Sequence, residues 1–156
     1  NGDNHPAVAT SYSYIGQIYF AQNDYSKALD YFKKSLKIVL SVYGENHSQV
    51  SSIYDHIGEI YFAQKDYSKA LYYFEESLKI RLSLFGENHP EVALSYYSIG
   101  SLYIIQGDKS KALNYYEKSL KIRLSVYGEN HPLTKEIMDL INVANSKVLQ
   151  SPETTK

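Results

Sequence analysis

Apolar residues in this chain recur every three or four positions and stop at regular intervals. Val8, Tyr12, Ile15 and Tyr19 mark one stripe, and Leu29, Phe32, Leu36, Val39, Leu40 and Tyr43 mark the next. That spacing is helical, so the stripes predict two helices joined by a short turn. Asp24 sits in the turn, where a carboxylate accepts the unpaired N–H groups of the helix that follows. Gly44 follows the second stripe, where a residue without Cβ suits a chain leaving a helix at positive φ.

The whole pattern then repeats. Gly-(Asp/Glu)-Asn-His begins at Gly2, Gly44, Gly86 and Gly128, a period of 42 residues, and the turn carboxylate returns as Asp66 and Asp108. Any two full repeats agree at roughly 24 to 27 of the 42 positions. Pro6, Pro90 and Pro132 stand where a new helix starts and an N–H is not missed, with Ser48 taking that place once. The expected divisions are 2–43, 44–85 and 86–127 for three repeats, 128–149 for a capping helix and 150–156 for a frayed tail. In the cap, Leu133, Ile137, Leu140, Ile141, Ala144 and Val148 face inward, and Lys135, Glu136, Asp139, Asn142 and Lys147 face outward. The first repeat has no such cap and no initiator methionine, which suggests a segment of a longer array.

Tyr12, Ile15, Gly16, Tyr19, Ala28, Phe32 and Ser35 resemble the signature of the tetratricopeptide repeat. It returns as Tyr54, Ile57, Gly58, Tyr61, Ala70, Phe74 and Ser77, and as Tyr96, Ile99, Gly100, Tyr103, Ala112, Tyr116 and Ser119. Small residues at Gly16, Ala28, Gly58, Ala70, Gly100 and Ala112 form the framework, letting helices approach while large ones fill the space between. The 42-residue period, the ending Lys-Ile-(Val/Arg)-Leu-Ser and Gly-Glu-Asn-His-Pro are similar to kinesin light chain repeats. The resemblance implies an all-α fold: a right-handed superhelical solenoid of antiparallel helix pairs, three repeats plus a C-terminal capping helix. It also implies a scaffold holding an extended peptide or helix of a partner protein in a concave groove lined by first helices.

Positions where the repeats disagree are the candidates for that groove: Ser13, Asp55 and Tyr97; Gln17, Glu59 and Ser101; with Phe20, Phe62 and Ile104 adding apolar surface. Such variation also arises at exposed sites that carry no function. The second repeat holds six acidic and four basic residues, so Asp55 and Glu59, one turn apart, point to a ligand with Lys or Arg near its centre. Tyr97 is the preferred aromatic contact. The first helices carry no Lys or Arg, unlike chaperone-binding tetratricopeptide domains that grip a terminal carboxylate. Ser13-Tyr14, Asp55-His56 and Tyr97-Ser98 stand where kinesin light chains characteristically place paired asparagines.

Composition narrows the field further. A net charge of −1 offers no broad positive field for nucleic acid, and no apolar run is long enough to cross a bilayer. The absence of cysteine suits a reducing cytoplasm, the expected location. His5, His47, His89 and His131 recur with the period and are expected to close turns and cap helices; no metal and no cofactor are expected. Most of the 17 tyrosines recur too, as expected of packing. No nucleophile, base and orienting group converge and no phosphate loop occurs, so no catalytic set is expected. Two other readings compete with the groove. One is a homo-oligomer formed through the uncapped first repeat; the other is a consensus-like or engineered framework without a dedicated ligand.

Overall fold

The computed structural model describes residues 4–146, and these form seven α-helices and no strand. The helices are α1 (Pro6–Ala21), α2 (Tyr25–Tyr43), α3 (Ser48–Ala63), α4 (Tyr67–Phe85), α5 (Pro90–Ile105), α6 (Lys109–Tyr127) and α7 (Pro132–Ser146). Two compact units divide them, with α1 to α4 in the first and α5 to α7 in the second.

Local chemistry sets the helix ends. Asp24, Asp66 and Asp108 each accept a hydrogen bond from a backbone N–H three residues on, at 3.1–3.2 Å, and so cap the second helix of each repeat. Gly44, Gly86 and Gly128 close those helices with φ of 79°, 76° and 81° and ψ of −176°, −177° and 172°, a region only glycine enters cheaply. The first helices are capped by histidine. Nδ1 of His5, His47, His89 and His131 accepts the N–H two residues ahead at 3.1–3.2 Å. The rings of His47 and His131 stack on Tyr43 and Tyr127 at 4.2 and 4.4 Å. Among the described residues no three His, Asp or Glu side chains gather as a metal would require.

Within the first unit α1 runs antiparallel to α2 and α3 to α4. Ser35 Oγ donates to the Ala9 carbonyl at 2.8 Å near one end of the first pair, while Tyr19 stacks on Tyr31 near the other. The core joins Ala9, Ala28, Phe32 and Val39 to Val50, Ile53, Ile57 and Ile60, all under 4% exposed. Gly16 and Gly58 are there because a ring presses on each: an added Cβ would lie 3.0 Å from Phe32 and 2.7 Å from Phe74. The entry to each repeat is tied to its own last turn. Asn4 donates to Ser41 at 3.0 Å and Asn46 to Ser83 at 3.2 Å.

In the second unit α5 pairs with α6 and α6 with α7 in the same manner. Ser119 donates to the Ala93 carbonyl at 2.8 Å and Asn88 to Ser125 at 3.3 Å. In α7 the buried side is made by Ile137 and Ala144, as expected, but by Thr134 instead of Leu133. Thr134 is fully buried against the Arg123 carbonyl, while Leu133 is 41% exposed. Lys147 and Val148 lie outside the described residues. Glu136, expected on the polar side, is 47% exposed and also reaches Arg123 at 3.3 Å. Its carboxylate supplies countercharge to the buried Arg123 guanidinium.

Candidate peptide-binding surface

The first helices of the first unit share a depression of about 190 Å3 between α1 and α3, walled in part by Ser13, Tyr14, Gln17, Gln49, Ser52 and His56. Hydrogen bonds fix its floor. Because Ser35 Oγ spends its proton on the Ala9 carbonyl, the 2.8 Å contact between Ser13 and Ser35 has Ser13 as donor. Tyr14 stands at the rim, 62% exposed.

His56 organises the wall. Its ring stacks on Phe32 at 4.9 Å and 21°, its Nε2 lies 3.3 Å from the Gln17 amide nitrogen, and its Nδ1 lies 3.2 Å from a Glu59 carboxylate oxygen. The amide nitrogen only donates and the carboxylate only accepts, so the neutral ring that satisfies both carries its proton on Nδ1. Gln17 and Glu59 are thereby joined across two helices by a residue that sequence alone leaves as an isolated variable site.

Asp55 is held from behind. Its carboxylate meets Arg81 of α4 at 2.6 Å, with the two side chains 20% and 4% exposed. Burial pushes the Asp55 carboxyl up despite the pull of Arg81. The counterpart of Arg81 is Val39 in the first repeat and Arg123 in the third, so the change from Ser13 to Asp55 is matched on the second helix of the same repeat, while Asp55 and Tyr97 both face an arginine. The acidic pair expected to face a ligand is therefore engaged, Asp55 by Arg81 and Glu59 by His56.

In the second unit Tyr97 lies under the Arg123 guanidinium at 5.1 Å, tilts against Tyr116 at 6.2 Å and donates to Glu136 at 3.4 Å. Burial, then Glu136, push its hydroxyl up. Ser101 Oγ is 3.1 Å from the Tyr116 hydroxyl, and Ile104, 37% exposed, borders a small apolar depression with Leu140 and Val143 of α7. Phe20 and Phe62 lie half-buried, each 5.8 Å from a tyrosine of its own repeat, Tyr25 and Tyr67.

The helix pairs, their small contact residues and the repeated caps meet a sequence match: the family model for the tetratricopeptide repeat covers residues 1–41 and 49–125, more than half of the chain. The chain belongs to the tetratricopeptide repeat family. Solved structures agree with this tetratricopeptide fold. BtubC (BKLC) from P. vanneervenii is 20% identical with a TM-score of 0.75, over 97% of this chain and 69% of that one. The putative kinesin light chain repeats of Podosopora anserina, described as nearly identical TPR-like repeats in a Q17M crystal structure, are 15% identical with a TM-score of 0.71, over 95% and 79%. The N-terminal domain of stress-induced protein-1 from C. elegans is 18% identical with a TM-score of 0.63, over 90% and 98%. No curated protein is recognisably similar in sequence. As a tetratricopeptide array the chain is a protein-interaction repeat scaffold. Among the described residues no helix is long and apolar enough to cross a membrane.

Proposed function

We propose that this scaffold binds an extended segment of a partner protein along the first helices, with the α1–α3 depression as its best-defined part. The observation that carries this reading is the wall chemistry: hydroxyls and amides at Ser13, Gln17, Gln49 and Ser52 beside an exposed Tyr14 ring. Such a wall suits main-chain N–H and C=O groups of a peptide, with the tyrosine as an anchor of low entropy cost. Ser101, Ile104 and Tyr97 extend the same role to the second unit, while Asp55, Glu59, Phe20 and Phe62 act chiefly by holding the walls in place. A reducing cytoplasm fits a chain without cysteine.

Peptide-display selection against the wild type and a Tyr14→Ala, Gln17→Ala double variant tests the reading. Peptides sharing a motif that the variant no longer enriches are the expected result. Equal enrichment by both proteins would remove the depression from the binding surface.

One observation favours self-association as a second reading. Tyr14 and Ile18, one turn apart on α1, are 62% and 56% exposed. An apolar pair of this kind suits helix-to-helix contact with another copy. Light scattering over a concentration series, compared with Ile18→Lys, distinguishes the two: a monomer at every concentration eliminates assembly.

A further inference from the structure

Each repeat packs three tyrosines alike. Tyr31 stacks on Tyr19 and tilts against Tyr12, Tyr73 stacks on Tyr61 and tilts against Tyr54, and Tyr115 stacks on Tyr103 and tilts against Tyr96. Repeats one and three cover the tilted pair with a cation of their own. Lys34 Nζ lies 5.8 Å from the Tyr12 ring centre and 4.9 Å from that of Tyr31; Lys118 Nζ lies 5.5 and 5.3 Å from Tyr96 and Tyr115.

Repeat two has Glu76 at that position. Among the described residues no ammonium or guanidinium lies over Tyr54 or Tyr73. A second change accompanies the first: Tyr72 replaces Asp30 and Asn114 of the sister repeats. Its ring is 58% exposed and meets Tyr73 edge-on at 5.2 Å and 82°. Tyr54, Tyr72, Glu45 and Glu76 border a depression of about 410 Å3, together with Lys79. Lys79 has counterparts in Lys37 and Lys121, so it does not set repeat two apart. The matching depression of repeat three is bordered by Glu87, Lys118 and Lys121, the opposite balance of charge. Tyr72, Glu76 and Glu45 also surround the Tyr54 hydroxyl closely enough to raise its pKa beyond what burial does.

We propose that the Tyr54–Tyr72–Glu76 depression binds an alkylammonium group from outside the chain, in the place that Lys34 and Lys118 fill in the other repeats. The tyrosine faces offer their negative quadrupole and Glu45 and Glu76 supply the countercharge. The site shares no lining residue with the α1–α3 depression, and its occupancy does not depend on peptide binding there.

Titration of tyrosine-ring NMR signals with n-butylammonium chloride tests the proposal, with 1-butanol as the neutral control. The amine should shift Tyr54 and Tyr72 saturably and leave Tyr12 and Tyr96 still, and butanol should do neither. Glu76→Lys should abolish the response by seating an internal ammonium, and Tyr72→Ala should weaken it about fivefold. Because Glu76→Lys installs the residue of both sister repeats, its melting temperature should match the wild type, which separates loss of the site from loss of fold. Equal shifts at Tyr12 and Tyr96, butanol matching the amine, or Glu76→Lys titrating like the wild type would each overturn the proposal. The peptide acetyl-Gly-Lys-Gly-amide identifies the source among ammonium ligands: tighter binding than n-butylammonium points to a partner's lysine, equal binding to a free amine.

Discussion

Phe74 lies so close to Gly58 that a single methyl group there would come within 2.7 Å of its ring. Gly58→Ala should therefore cost about 1 to 3 kcal/mol, against the roughly 0.5 to 1 kcal/mol that alanine gains in a helix. Gly16, whose Cβ would meet Phe32 at 3.0 Å, should pay less when replaced the same way. Urea melts of the two variants give the order; a Gly58→Ala protein as stable as the wild type would mean that the ring yields.

Asp55 and Arg81 form a pair whose halves do not survive alone. Asp55→Ala removes the carboxylate that the 4% exposed Arg81 side chain meets at 2.6 Å and should cost about 3 to 5 kcal/mol. The double replacement Asp55→Ser with Arg81→Val transplants the Ser13 and Val39 of repeat one, and should recover most of that loss. A double variant no more stable than Asp55→Ala would show that the pair is not the compensating unit.

Lys65 closes the turn between α3 and α4 at φ 63°, a conformation that Gly107 adopts in repeat three and Asn23 in repeat one. Lys65→Gly removes the Cβ strain and should stabilise by about 0.5 to 1 kcal/mol, net of the entropy glycine adds to the unfolded chain. Thermal melts check the sign. Lys65→Ala should gain nothing.

Acid should act on Asp66 and Asp55 in opposite directions. The side chain and backbone N–H of Lys69 lower the Asp66 pKa below 3.8, so its stabilisation is present above that value and lost as pH falls through the folded pKa. Burial raises the Asp55 pKa, so in the folded chain it holds its proton above pH 3.8, and the associated stability is lost as pH rises through the folded pKa. Melting temperature followed from pH 2 to pH 6, on the order of the carboxylate range, should rise less steeply in Asp66→Asn and more steeply in Asp55→Asn than in the wild type. Parallel curves for all three proteins would exclude both assignments.

The fold was legible because its signals are local and repeated. A cap such as Asp24 or His47 bonds an N–H two or three residues away, so spacing alone exposes it. The need for a small residue at Gly16 was legible through the family pattern, and the structure adds that Phe32 is the ring pressing there. The walls of the candidate surface were not, because their chemistry crosses between helices. Asp55 reads as a free carboxylate until α4 brings Arg81 to it, and His56 reads as isolated until α1 brings Gln17. One signal was available: Ser13 with Val39 in repeat one gives way to Asp55 with Arg81 in repeat two, a joint change that brings a carboxylate and a guanidinium in together. Lys65 by itself reads as an ordinary turn lysine; the sign of its φ shows in sequence only through its counterparts Asn23 and Gly107, residues at home at positive φ.

The bonds from Asn4 to Ser41, Asn46 to Ser83 and Asn88 to Ser125 each begin and end inside one 42-residue block. Cutting or pasting whole blocks in phase leaves every one of them intact. Copy number is thus a quantity that recombination can change without breaking these three bonds, whereas an insertion between an Asn and its Ser would separate the two ends of one.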